Sequence, residues 1–313
     1  MKILVTGASG FIGRYVVREA LARDHEVIAL SRRQPDNTAA PSMRWLQHDL
    51  AASEPPMLEG MGIDAVLHLA AALDGTAEEQ HSATVLATQH LLSAMRQAGI
   101  RRLIGISSIA VLDYPPLPAM SLIDEATPRG DSPRMGIYAR MKLAQELLFE
   151  NFFNSSPGAN GAILRPGLVY DARVLFAAHA GVFKGPLRLC VSHGGEVPVI
   201  AVTSLARAIL DAAALELGGE ILQLVDDNLP DLAQYRSALQ SRGVLPAGAV
   251  CLPWRLVAGM ANASSSVLGK AGLVHRVPEA LLAHGFAARL KPFRYANHRA
   301  KQRLGWTPGK SFA

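Results

Sequence analysis

Along the first 170 residues, short apolar runs of strand length alternate with longer segments whose apolar positions recur every three or four residues. Lys2–Thr6, Glu26–Ser31, Met43–Gln47, Ala65–Leu69, Leu103–Ser107 and Ala162–Leu164 read as strands. Between them, Phe11–Ala22, Glu78–Ala98 and Gly136–Phe152 read as helices. Tyr138, Met141, Leu143, Leu147 and Leu148 carry the helical spacing of the last, and Gly99 stops the one before it. Such alternation predicts a doubly wound parallel α/β sheet with crossover helices. After Tyr170 the rhythm loosens, with a further strand expected at Ile221–Val225 and helices at Ser204–Leu215 and Asp231–Ser241.

One segment breaks the pattern early. Asp113–Arg134 holds Pro115, Pro116, Pro118, Pro128 and Pro133 and is expected to form no regular element. Irregular connections of this length are usually functional, so it reads as a loop on the substrate side. The 313 residues are 50% apolar and only 18% charged, which excludes a disordered chain. No window approaches the ~18 uninterrupted apolar residues of a membrane span. Met1-Lys2 runs straight into Ile3-Leu4-Val5-Thr6-Gly7 with no small-residue cleavage site, so no signal peptide is read and a cytoplasmic location is expected. Cys190 and Cys251 have neither disulfide-framework nor zinc-ligand spacing and read as buried or partly buried thiols in a reducing compartment; no metal site is expected. Charge is uneven: from Cys251 onward ten basic residues face the single acid Glu279, a net +9 within a chain of +5. That field suits an anionic small-molecule substrate, or is a solvated basic surface; nucleic acid is not expected, because no recognition module accompanies it.

The first strand leads directly into Gly7-Ala8-Ser9-Gly10-Phe11-Ile12-Gly13 and then into a helix. Glycines at 7, 10 and 13 keep the turn tight, let backbone approach a pyrophosphate and let the helix pack on the sheet, while the helix N-terminus offers N–H groups. The turn residues Gly7, Ser9, Gly10, Phe11, Ile12 and Gly13 are therefore candidates for holding a dinucleotide. At the end of the second strand, where an acid would bind a ribose 2′-hydroxyl, the chain reads Arg32-Arg33. A guanidinium there can pair with a 2′-phosphate, so NADP is expected in preference to NAD. Asp49 after the third strand is placed to accept from an adenine amino group, and Ala70 and Ala71 leave room for the dinucleotide.

Tyr138 and Lys142 share one face of a predicted helix. A phenol of pKa ~10 serves as a proton donor or acceptor near neutrality only where a cation stabilises its phenolate, and a lysine one turn away does so. Ser107-Ser108 ends the fifth strand, where open α/β sheets bind ligands, and offers a hydroxyl to the reacting oxygen.

Together these stretches resemble the extended short-chain dehydrogenase/reductases, the NAD-dependent epimerase/dehydratase family. The resemblance runs through Thr6 to Gly13, Asp49-Leu50, His68-Leu69-Ala70-Ala71, Ile106-Ser107-Ser108, Tyr138 to Lys142, Arg165 to Tyr170 and Leu304 to Pro308. It implies a Rossmann domain over residues 1–170, with a strand near 221–226, followed by a smaller, mixed substrate-binding region over 171–313. It further implies that Tyr138 is the acid/base, that Lys142 binds the nicotinamide ribose and tunes the tyrosine, and that Ser108 orients the substrate oxygen. Leu50 and Leu69 would line the cofactor site, with Pro166 and Val169 near the nicotinamide. The chain departs from the family pattern at Thr84, usually asparagine, at Leu112-Asp113 and at Val202-Thr203-Ser204.

Three functions follow from this reading. The first is an NADP-dependent oxidoreductase interconverting a secondary alcohol and a ketone, supported by Arg32-Arg33 and by apolar residues such as Trp254, Leu256, Val257, Met260, Val267 and Leu268. The alternative is a nucleotide-sugar epimerase or dehydratase with tightly held NAD, its diphosphate met by the basic C-terminal region. A non-catalytic dinucleotide-binding scaffold or sensor is the third. Attachment to a membrane surface through Trp254–Phe293 is disfavoured by Ser264-Ser265-Ser266. The helices at Glu78–Ala98 and Gly136–Phe152 could pair two copies as a homodimer.

Overall fold

Strands of this chain are apolar on both sides because helices cover both faces of the sheet they form. Ile3, Val5, Val27, Ala29, Leu67, Ile104 and Leu164 pack into one layer, and Leu4, Ile28, Leu30, Val66, Leu103 and Ile163 into the other. The computed structural model describes residues 1–33, 42–52, 54–130, 135–184, 187–245, 249–260, 282–309 and 312. In it β1 (Lys2–Thr6), β2 (Glu26–Ser31), β3 (Met43–Gln47), β4 (Ala65–His68), β5 (Arg102–Ile106), β7 (Asn160–Pro166) and β12 (Glu220–Leu224) make a seven-stranded parallel sheet of order β12-β7-β5-β4-β1-β2-β3. The first three strands have the bounds expected from sequence; β4 ends one residue earlier, and β5, β7 and β12 differ by one or two residues at each end.

One face is covered by α1 (Phe11–Ala22), α5 (Val202–Ala213) and α9 (His298–Leu304), with Trp306 closing the layer. The other is covered by α3 (Ala87–Gln97) and α4 (Ile137–Ser155), whose Phe149 and Phe152 are fully buried. The helix expected at Glu78–Ala98 is not uniform: α2 (Ala77–Gln80) passes through a π-helical segment at His81–Leu86 before α3 begins. A capping box between Thr76 and Glu79 starts it.

The smaller region carries mixed strands. β9 (Gly181–Lys184), β10 (Leu187–Ser192) and β13 (Val250–Pro253) form a three-stranded sheet, and β8 (Leu168–Tyr170) pairs with β11 (Val199–Ala201). Helix α6 (Leu232–Ser241), capped by Asp231, packs Tyr235 and Leu239 onto Cys190, Val197 and Val199. The segment 254–260, helical and here called α7, joins α8 (Ala283–Leu290) over β10 through Val257, Phe286 and Leu290. The proline-rich loop is not wholly irregular, since β6 (Leu122–Ile123) pairs in parallel with β14 (Arg294–Tyr295). Of the apolar C-terminal residues that support the oxidoreductase reading, Leu256 and Met260 are exposed, and Val267 and Leu268 lie outside the described residues. Cys190 is buried and Cys251, against expectation, is exposed. No helix among the described residues is long and apolar enough to cross a membrane.

Candidate active site

The glycine turn follows β1 at the C-terminal edge of the sheet. Gly7 has φ +66, and a Cβ there would lie 3.0 Å from the Ala70 nitrogen, so this left-handed residue lets the turn touch the end of β4. A Cβ on Gly13 would meet the Gly7 carbonyl oxygen at 2.1 Å, so α1 starts this close to the turn only with glycine there. Gly10 is the N-cap and no side chain caps α1. Its first N–H groups are left for a ligand, and the absence of a Cβ opens the cradle that a pyrophosphate needs. Ser9 is exposed and Phe11 and Ile12 are half-buried around it. These features fit a dinucleotide.

Arg32 and Arg33 are exposed at the end of β2, on the side of the sheet edge where the glycine turn lies; Ser31 Oγ donates to the Arg33 carbonyl at 2.5 Å. Asp49 is exposed and accepts from the Ala51 nitrogen at 3.0 Å, while Leu50 points into the core beneath it. Leu69 and Ala70 are half-buried at the end of β4, with Ala71 beside them. Pro166 is buried at the end of β7, and Val169 is half-buried against the sheet layer.

Lys142 is 3% exposed, and its ammonium donates to the Ile106 carbonyl at the end of β5 and to Gln145 Oε1. Burial lowers its pKa to about 7, against the upward pull of Glu146. Tyr138, one turn earlier on α4, is half-buried; burial raises its phenol above the ordinary value, and a hydrogen bond with Ser108 works the other way. Ser108 Oγ already accepts from the Ala110 nitrogen at 3.1 Å, so its proton is available to Tyr138 or to a substrate oxygen. Tyr138 opens on a small cleft of about 40 Å³ with Ala110, Gly136 and Ala139 on one side and His284, Gly285, Ala288 and Arg289 of α8 on the other. Ser108, Tyr138 and Lys142 thus meet at the end of β5, and Gln145 ties them to Ala70 by donating to its carbonyl at 3.2 Å.

The family whose pattern matches residues 3–185 is the NAD dependent epimerase/dehydratase family. The chain belongs to it. A 2-alkyl-3-oxoalkanoate reductase of Stenotrophomonas maltophilia (strain K279a) is 28% identical over 213 residues, 66% of this chain and 64% of the relative, so the chain spans just under two thirds of that reductase. A 4-hydroxy-2-methyl-3-oxo-4-farnesyl-3,4-dihydroquinoline-1-oxide ketoreductase of Stigmatella aurantiaca is 27% identical over 286 residues, 85% of this chain and 80% of the relative. Among solved structures, MoeE5 in complex with UDP-glucose and NAD superposes with a TM-score of 0.68 and 22% identity, covering 100% of this chain and 95% of that one. That likeness is one of fold, the Rossmann-like sheet with its smaller mixed region.

In this family member a second set of polar residues, not anticipated from sequence, lies buried behind the tyrosine and lysine. Ala70 N donates to Thr6 Oγ1 at 3.3 Å, so the Thr6 hydroxyl gives its proton to His68 Nδ1, 2.6 Å away. His68 is then protonated on Nε2, which faces Thr88 Oγ1 at 2.8 Å, and the Thr88 hydroxyl donates to the Thr84 carbonyl at 2.6 Å. Gln145 Nε2 donates to Thr88 Oγ1 at 2.9 Å, which turns its carbonyl toward Lys142. Burial, and then the charge of Lys142, bring the His68 pKa to about 3, so the ring is neutral. Thr84, in the π-helical segment, accepts from the Ala72 nitrogen at 3.0 Å and so holds the chain leaving β4.

Glu146 forms the other half of the set. It is fully buried, paired with Arg165 at 3.0 and 2.6 Å, and accepts from Ser107 Oγ at 2.5 Å. Burial raises this carboxyl, but Arg165, Ser107 and Arg129 outweigh it and hold the pKa below the ordinary value. Ser107 is thereby engaged with Glu146, while Ser108 is the serine beside Tyr138. One signal was available in the sequence: Lys142, Gln145, Glu146 and Phe149 fall at i, i+3, i+4 and i+7, so the inward stripe of α4 carries three polar residues.

Proposed function

We propose that this family member is an NADP-dependent oxidoreductase that interconverts a secondary alcohol and a ketone by hydride transfer, with Tyr138 as acid/base. The observation that carries the reading is the convergence of Ser108, Tyr138 and Lys142 beside the Gly7–Ala70 contact. The names of the Stenotrophomonas and Stigmatella relatives support it, since both are reductases of oxo compounds. When bound, the nicotinamide supplies or accepts the hydride. In the reducing direction Tyr138 gives its proton to the carbonyl oxygen, and Ser108 donates a hydrogen bond to the same oxygen. Lys142, charged, lowers the energy of the phenolate left behind and keeps its remaining N–H for the ribose. Gly7, Ser9, Gly10, Phe11, Ile12 and Gly13 would hold the pyrophosphate, Asp49 the adenine, with Leu50 supporting it from the core, and Leu69, Ala70, Ala71, Pro166 and Val169 the walls.

Arg32 and Arg33 would face the 2′-phosphate, and this is the ground for NADP over NAD. Replacing both by alanine should weaken NADPH more than NADH in fluorescence titrations; an equal loss removes the argument. Tyr138→Phe should abolish turnover and leave NADPH affinity nearly unchanged, and undiminished turnover refutes the acid/base role.

The second reading, a nucleotide-sugar epimerase or dehydratase with retained NAD, draws on the family as a whole and on the fold shared with MoeE5. Labelled cofactor separates the two: an oxidoreductase delivers the label to product in net fashion, whereas an epimerase leaves the cofactor pool unchanged. Residues 1–170 with β12 form the dinucleotide-binding unit in this reading, and 171–313 mainly the substrate side. Pairing of two copies through α3 and α4 belongs to it as well, with Leu147 exposed on the outer face of α4; sedimentation at the mass of one chain would remove it.

A further inference from the structure

The sheet β9–β10–β13 brings together the two cysteines of the chain. Cys190 of β10 is the direct register partner of Cys251 of β13 in a parallel pair. Strands lie about 4.8 Å apart, inside the Cα separation of about 4.4–6.8 Å that a disulfide spans. Register partners present their side chains to the same face, and the nearness of Cys251, after burial, helps to raise the Cys190 thiol above its ordinary value. Their surroundings differ. Cys251 is exposed, and Arg236 Nη1 on α6 donates to its sulfur at 3.3 Å, so a positive charge faces the sulfur that solvent reaches. Cys190 is 1% exposed among Tyr235, Leu239 and Val197. Burial pushes its thiol up to about 12, so it stays protonated until a partner sulfur draws it into reaction.

We propose that Cys190 and Cys251 form a redox-active pair that closes to a disulfide when a hydroperoxide oxidises Cys251. The Cys251 thiolate attacks the nearer peroxide oxygen, the O–O bond breaks, and the distal oxygen leaves as hydroxide or alkoxide, giving a sulfenic acid. The Cys190 sulfur then attacks the Cys251 sulfur, its proton passes to the departing oxygen, and water leaves. In sum two thiols are oxidised by two electrons, and one peroxide is reduced to two molecules of water, or to water and an alcohol. A thiol reduces the bond back by exchange. Such a bond fixes β13 to β10 immediately before α7. Val257 of α7 packs with Phe286 and Leu290 of α8, the helix that lines the Tyr138 cleft. The pair therefore sits at the root of the cover over the candidate active site.

The full-length protein treated with a small excess of hydrogen peroxide, quenched and digested without reduction, tests this. Two thiols per chain should disappear, the peptides holding Cys190 and Cys251 should be found joined within one chain, and dithiothreitol should restore both. Arg236→Met should slow the loss by about tenfold, since the charge beside the sulfur is gone. In Cys190→Ser, dimedone should trap Cys251 as a sulfenic acid. Accumulation of Cys251 sulfinic acid with Cys190 still a free thiol overturns the proposal. So do bonds formed only between two chains, or thiols that survive peroxide sufficient to oxidise glutathione.

Discussion

Replacing Gln145 by methionine keeps roughly the same volume on α4 and removes the carbonyl that faces the Lys142 ammonium. A hydrogen bond to a charged group contributes about 1.5–3 kcal/mol, and each 1.36 kcal/mol corresponds to about one pKa unit. Burial already brings Lys142 to about 7. Loss of the acceptor disfavours only the charged form, so the pKa should fall further, by about one to two units. Gln145→Glu should act in the opposite direction, because a carboxylate there would favour the ammonium. Under the proposed mechanism, reduction needs Lys142 charged, so the rate falls as pH rises through its pKa. The alkaline limb of kcat for NADPH-dependent reduction should therefore move to lower pH in Gln145→Met and to higher pH in Gln145→Glu. Initial rates across pH 5–10 measure this, and NMR of 13C-methylated lysine follows Lys142 without turnover. A limb and a lysine titration unmoved in both variants would show that Gln145 does not control the ammonium.

Two further outcomes follow from the packing. Gly13→Ala places a methyl group 2.1 Å from the Gly7 carbonyl oxygen and 2.8 Å from Ala8, so α1 must shift; NADPH affinity should fall about tenfold, or by about 1.4 kcal/mol, and unchanged binding by calorimetry would refute the cradle. Glu146→Ala leaves Arg165 buried without its partner, a change that costs about 3–5 kcal/mol in comparable pairs and should lower the chemical-denaturation midpoint. Because the Glu146 pKa is below its ordinary value, its stabilisation is present above the ordinary carboxylate range and is lost as pH falls. Wild type should thus lose more stability between about pH 5 and 3 than Glu146→Gln, and parallel curves would contradict the pairing.

How much of this was legible in the sequence depends on how local each feature is. Strands β1, β2 and β3 were read to the residue because runs such as Ile3-Leu4-Val5 face helices on both sides and end at turn residues. The glycine turn was equally plain, since Gly7 and Gly13 answer steric demands made within a few residues. The π-helical turn at His81–Leu86 was not, because a shift in backbone hydrogen bonding changes no side-chain pattern. Nor was the fate of Asp113–Arg134, part of which pairs with Arg294–Tyr295 at the far end of the chain. The prolines exclude long elements there but say nothing of a two-residue strand. Cys190 and Cys251 illustrate the same limit: spacing gave no hint of a pairing that depends on the register of two distant strands.

Ala70 joins the glycine turn to the helix that carries the tyrosine and lysine. Its nitrogen donates to Thr6, its carbonyl accepts from Gln145, and its backbone is what the missing side chain of Gly7 lets the turn approach. The glycine turn and the ammonium are therefore both positioned against one peptide segment at the end of β4. A polar network this buried is stabilising only if every member is satisfied, and here Thr6, His68, Thr88 and Gln145 each have a donor facing an acceptor. A purely structural core would have filled the space beneath Lys142 with apolar groups at no loss of stability. Instead the chain keeps a neutral histidine, an amide of forced orientation and a lysine near its point of titration behind Tyr138, which with Ala110, Gly136 and Ala139 faces α8 across the cleft; under the proposed function this is what an acid/base device requires.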